Sequence, residues 1–320
     1  MAEVPAYKAF TLAGLPVESA VQKVYVGTKN LYILQRWGLK SYISRAPIEP
    51  FAEKAQTATV ADFMIVGDTG HTQSLDWYEH NGKSYFLMGL KPSESGTNNS
   101  HWSTQVGRVE YVAGKEITNN TQVTRISSIN HAQESGASIG TLLRCESAVS
   151  TSHKEILILA MADDGTGHNS HSVLTRYNLE ALNKVLDAQE ASGTNYISAG
   201  DSKVKATAIS TMPVSGSLYS HTANGSLQGM DLSDGGSVYL SSGNQGETPY
   251  VSKFAWNGTI NKGKPLYNIY WPDSRLIETE GLQLKDRLFV TLAYHTKTDP
   301  NDSDNKTDKN VVYWIDKSNF

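Results

Sequence analysis

Five positions along this 320-residue chain carry an amide or a carboxylate at the head of one recurring pattern: Gln22, Gln73, Glu146, Gln228 and Glu280. Side chains of these types support three chemistries. They hold ligand hydroxyls by hydrogen bonds. A carboxylate pair such as Glu146 and Glu280 can divide acid and nucleophile or base work on a glycosidic bond. A carboxylate with an imidazole, such as His71, can ligate a metal. Only two of the five positions are acidic, and no short-spaced ligand motif accompanies His71. Catalysis through Glu146 and Glu280 is therefore the alternative reading, and no metal or cofactor is expected. A fourth reading is purely structural: a ring of Gln and Glu lining a narrow channel satisfies neighbouring backbone groups and waters.

The elements that position these residues are hairpins. Each of the five is followed two places on by an apolar residue (Val24, Leu75, Ala148, Met230, Leu282), then by a tight polar turn and a second apolar strand. That is a β-hairpin whose first strand alternates. The repeat positions are separated by 51, 73, 82 and 52 residues, so the hairpin recurs while its connections vary. Third strands are expected at 40–44, 105–112, 172–177, 250–256 and 310–315, and fourth strands within 57–66, 122–129 and 197–209. The chain ends after a third strand and begins with an alternating strand, Tyr7 to Leu12. The architecture expected is an all-β, five-bladed propeller in one domain over residues 1–320, closed by the N-terminal strand so that no sheet edge is left open. A β-sandwich is the alternative. One helical segment, with apolar residues at 179, 182, 185 and 186, reads as an insertion near residues 178–187 of the third blade.

In a propeller the start of each innermost strand and the end of the next emerge on one face. The first set brings Gln22, His71, Gln73, Arg144, Glu146, Gln228, Glu278 and Glu280; the second brings Arg36, Lys91, Asp163, Asp164, His168, Asn244, His295 and Lys297. The ligand-binding candidates are Gln22, His71, Gln73, Lys91, Glu146, His168, Gln228, Glu280, His295 and Lys297. Asp76 and Asp231 are expected to point elsewhere. An exposed Trp near a strand end (Trp77, Trp102, Trp256 or Trp271) could stack on a sugar face.

Composition excludes other classes. Charged residues make up only 19% of the chain, less than solvated helices of this length require, whereas Ser, Thr, Asn and the 26 glycines suit strands and turns. A net charge of −4 argues against nucleic acid as a partner. The lone Cys145 excludes an internal disulfide and a cysteine-rich zinc site, and its place beside Glu146 in a strand makes it a packed thiol. No phosphate loop, nucleophile elbow, signal peptide or apolar run of transmembrane length is readable; the longest apolar run, 156–162, is strand length.

At these hairpins the sequence resembles the helveticin J family of large, heat-labile bacteriocins of lactobacilli. The matching segments are Gly70-His71-Thr72-Gln73 with Leu90-Lys91-Pro92-Ser93, and Glu146 to Ser150 with Gly167-His168 and Tyr177-Asn178-Leu179. Leu227 to Leu232 with Val238 to Ser242, and Glu278 to Gln283 with Thr291 to Lys297, complete them in order over roughly residues 20–297. Arg144-Cys145-Glu146 stands where the family tends to have His-Ala-Glu, so no histidine role transfers there. The resemblance implies an extracellular antibacterial or surface-binding protein without a known enzymatic mechanism. With the converging face, it makes a bacterial surface glycan or teichoic-acid-like polymer the expected partner, bound at the channel mouth of a secreted protein.

Overall fold

The computed structural model describes residues 3–94, 100–256 and 260–320. Its strands form five sheets, each starting from one of the hairpins and running from the axis outward. Blade 1 contains Val21–Val26, Asn30–Trp37, Lys40–Pro47 and Asp62–Val66; blade 2 contains Asp76–His80, Lys83–Pro92, Ser103–Glu110 and Thr124–Ser127. Blade 3 contains Leu142–Val149, Glu155–Asp163, Asn169–Asn178 and Ala208–Val214; blade 4 contains Gly229–Leu232, Val238–Ser242, Tyr250–Phe254 and Ile260–Tyr267. Blade 5 takes Ile277–Leu284, Leu288–His295 and Thr307–Ile315 from the C-terminal end of the chain and Tyr7–Ala13 from its beginning. The N-terminal strand pairs antiparallel with the last, Phe10 opposite Val312, and closes the ring as the alternation predicts.

Five clusters of buried apolar side chains lie one at each junction between neighbouring blades. Every sheet is therefore buried on both faces, which explains the run at 156–162. Along that strand Ile156, Ile158 and Ala160 pack toward blade 2, and Leu157, Leu159 and Met161 toward blade 4.

Four blades carry a fifth, outermost strand that pairs parallel to the fourth. Gln56–Thr59 joins blade 5, Glu116–Ile117 blade 1, Tyr196–Ser198 blade 2 and Val4–Pro5 blade 4. Three of them come from the link between the third and fourth strands of the following blade, and Val4–Pro5 from the segment just before blade 5's fourth strand. Four of the five blades thus have their edge covered by the next, blade 3 being the exception. The stretch 57–66, expected as one strand, thus divides between blades 5 and 1, and 197–209 divides between blades 2 and 3.

The expected helix is Leu179–Ala191, capped by the Asn178 side chain, which accepts from the Ala181 N–H at 2.8 Å. It packs onto blade 2, where the buried Arg108 guanidinium donates to Asp187 at 2.6 Å and to Asn183 at 2.9 Å.

Near the axis the inner strands approach too closely for a side chain. A Cβ on Gly281 would lie 2.5 Å from the Gln22 carbonyl oxygen, and one on Gly229 2.7 Å from the Gly281 Cα. These two positions require glycine, which lets blades 4, 5 and 1 meet.

Candidate functional site

Four of the five repeat side chains bond one another at the axis, and the fifth, Glu146, joins them through the Gln73 backbone and Arg144. Gln73 Nε2 donates to Gln228 Oε1 at 2.6 Å and to Glu280 Oε2 at 3.3 Å; Gln22 Nε2 donates to Glu280 Oε1 at 3.4 Å. The backbone N–H of Gln73 donates to Glu146 at 3.1 Å, and that carboxylate also accepts from Arg144 Nε at 3.0 Å and from Ser74 and Thr72. Arg144, a position at which a histidine role had been set aside, ties three blades together: besides Glu146 it reaches Gln73 Oε1 and the Leu227 carbonyl. The ring is buried, from 2% exposure for Gln73, Glu146 and Glu280 to 8% for Gln22 and Gln228. It closes the channel with its own hydrogen bonds.

A β-bulge at the start of blade 1's inner strand sets a second layer below the ring. It turns the consecutive residues Gln22 and Lys23 both inward, where strict alternation would separate them. Lys23 Nζ donates to Asp76 at 2.8 Å and to the Met230 carbonyl at 3.1 Å. Asp231 lies beside it, accepting from the Leu232 and Leu284 N–H groups at 2.7 and 2.6 Å. Asp76 and Asp231 thus face the axis, contrary to the expectation that they point elsewhere. Burial opposes the Lys23 charge, but the carboxylates of Asp76 and Asp231 outweigh it and hold its pKa above the ordinary lysine value. Burial raises the Asp231 carboxyl, Lys23 pulls it back and Asp76 pushes it up again, leaving it at about 8. Glu280 is likewise held well above the carboxylate range by burial and by the neighbouring charge of Glu278.

The remaining candidates divide between the ring's rim and its surroundings. His71 Nε2 lies 2.6 Å from Gln22 Oε1, and its ring stacks on Trp102 at 4.1 Å. The Arg144 guanidinium lies over the same indole at 3.8 Å. Burial, then the charges of Arg36 and Arg144, keep the His71 imidazole neutral to well below its usual pKa. Lys91 and His168 are exposed and stand apart from the ring: the Lys91 N–H donates to the Asp68 carbonyl at 2.7 Å, and His168 closes a turn with Thr166 at 3.0 Å. Cys145 is fully buried, its thiol facing the Ser103 carbonyl at 3.3 Å, and burial raises its pKa well above the usual value.

The open part of this face is a cleft of about 730 Å³ beside the ring, lined by Trp37, Asn244, Gln245, Glu278, His295, Asn305, Lys306 and their neighbours. His295 Nε2 lies 3.0 Å from Glu278. Lys297 sits at its rim, its backbone bonded to Gln245 and Asn305. Asn244 joins cleft to ring by accepting from Gln228 Nε2 at 3.0 Å. Trp37 is 57% exposed and ends the second strand of blade 1, on the converging face, although the repeat pattern does not mark it. Among the described residues no cluster of three or more His, Cys, Asp or Glu is placed to hold a metal ion. None of the described helices is long and apolar enough to cross a membrane.

A family model described as bacteriocin helveticin-J matches residues 4–318, extending through the N-terminal strand and the tail beyond the 20–297 motifs. The chain is 26% identical over 333 residues to bacteriocin helveticin-J of Lactobacillus helveticus, covering 92% of each. Among solved structures, an alpha-L-arabinofuranosidase from Lactobacillus brevis aligns at 9% identity and a TM-score of 0.45, covering 98% of this chain and 92% of that one. The WD40 domain of Toxoplasma gondii coronin aligns at 8% identity and a TM-score of 0.32, covering 96% and 74%. Neither likeness is close enough to bear on activity.

Proposed function

Since this chain belongs to the helveticin J family of bacteriocins, we propose that it is an antibacterial protein acting outside the cell that makes it. In this reading it binds the bacterial envelope, a glycan or teichoic-acid-like polymer, at the channel mouth. The observation that carries the reading is the exposed Trp37 indole in a 730 Å³ cleft whose polar walls are the Asn244, Gln245 and Asn305 amides, the Ser19 and Thr307 hydroxyls, Glu18, Lys306 and the His295–Glu278 pair. An indole face stacks against the C–H face of a sugar ring, and Asn244, Gln245 and Asn305 are suited to its hydroxyls. Lys306, Lys297 and His295 are suited to phosphates along a polymer. The buried ring of Gln22, Gln73, Glu146, Gln228 and Glu280, with His71 at its edge, serves as a rigid floor, coupled to the cleft through Gln228 and Asn244.

A glycan array of envelope fragments tests this, with Gln245→Ala and Asn305→Ala as variants. Retention lost or weakened tenfold by each change supports the cleft; no retention, or retention indifferent to both, removes it. The same fragments, assayed for new reducing ends, test the carboxylate pair. Release that disappears in Glu146→Gln would replace binding by glycoside hydrolysis.

A further inference from the structure

The opposite face, where the inner hairpins turn, holds a second cavity of about 300 Å³ between blades 1 and 2. Three aromatic side chains, Tyr25, Tyr32 and Trp77, line it together with Asn30, Ser84 and the Gly27–Lys29 turn. Lys285 reaches in from the hairpin of blade 5, its ammonium donating to the Val26 carbonyl at 2.9 Å. Tyr25, Trp77 and Lys285 also line a narrower opening that leads toward Asp76 and Asp231 at the lower end of the channel.

Chemistry limits what such a cavity accepts. Its volume is at the lower end of ligand pockets, roughly 300–1,000 Å³, enough for one sugar-sized group rather than a chain. Two lysines and no carboxylate line it, so a cation, including a quaternary ammonium that aromatic walls would otherwise attract, is disfavoured. An ammonium has three donors, and the Val26 carbonyl takes one of those of Lys285. Aromatic faces beside amide and hydroxyl groups match the two surfaces of a pyranose.

We propose that this cavity is a second ligand site, for a single anionic sugar bearing a phosphate or a carboxylate, its ring against Trp77 and Tyr32 and its anionic group at Lys285 and Lys29. It shares no residue with the mouth cleft, so it stands independently of the reading given above. Burial lowers the Lys285 pKa against the opposing pull of Asp286, with Lys29 and His153 the other titratable groups nearby. An anion beside it would restore the charge, so binding should take up protons at alkaline pH.

Calorimetric titration of the whole protein with glucose 1-phosphate, glucuronate, glucose and inorganic phosphate tests the proposal. Binding of the sugar phosphate or the uronate is expected, with glucose and phosphate each at least tenfold weaker. Lys285→Gln and the exposed Lys29→Gln should each weaken it several-fold, and Trp37→Ala in the other cleft should leave it unchanged. Phosphate alone binding as well as the sugar phosphate, no binding by either anionic sugar, or binding indifferent to both lysine changes would overturn it. Unchanged thermal melting of Lys29→Gln excludes misfolding as the cause of a loss.

Discussion

Gln73 of blade 2 and Gln228 of blade 4, 155 residues apart, are joined across the propeller axis by a hydrogen bond of 2.6 Å. The bond closes the channel from within. Gln73 also accepts from Arg144 and donates to Glu146 and Glu280, so a single side chain and its backbone N–H link four blades.

Gln73→Ala should therefore destabilise the fold by about 1–3 kcal/mol, because it strands buried partners on Arg144, Gln228 and Glu280. Denaturant unfolding monitored by circular dichroism measures this. Trp37→Ala, at an exposed position, should stay within about 0.5 kcal/mol of the parent.

Lys23 is a fully buried cation near the axis, and removing it alone leaves the Asp76 carboxyl buried without its ion-pair partner. Lys23→Met should cost about 3–5 kcal/mol, and Lys23→Met with Asp76→Leu should recover much of it. Equal losses for the single and double variants would show that the pair is not an energetic unit.

Asp231 predicts a pH signature. Its folded pKa of about 8 lies above the ordinary 3.8, so between those values the folded chain keeps a proton that the unfolded chain releases. Stability from this group is full below pH 3.8 and is lost as pH rises toward 8. Thermal melts of the parent and Asp231→Asn between pH 5 and 9 isolate it. The parent should lose stability relative to the variant as pH rises, levelling above pH 8; a constant difference would contradict the assignment.

The sheets of this fold were legible because each inner hairpin repeats a polar residue, an apolar residue two places on and a turn, and because Tyr7 to Leu12 alternates at the open end of the last blade. The clasping strands were not, since segments as short as Glu116–Ile117 and Val4–Pro5 carry no period and exist only through their neighbours. The second inner strand begins at Asp76, beyond both Gln73 and Leu75 of the repeat, because Thr72 and the Gln73 N–H turn to Glu146 instead of to a strand partner. The inward turn of Lys23 depends on a bulge, and a bulge shifts register without marking the residues that form it. The ring's residue types and convergence were readable. Its closure was not, because a Gln that could hold a ligand and a Gln that holds another Gln are the same letter.

The claim on which the functional account rests is that the mouth cleft holds envelope polymer, and sedimentation with isolated Gram-positive cell walls tests it most directly. The parent protein should sediment with the walls and Trp37→Ala should do so at least tenfold more weakly, a loss of about 1.4 kcal/mol, while melting at the same temperature. A parent that stays in the supernatant, or a Trp37→Ala protein that binds as the parent does, would contradict the account.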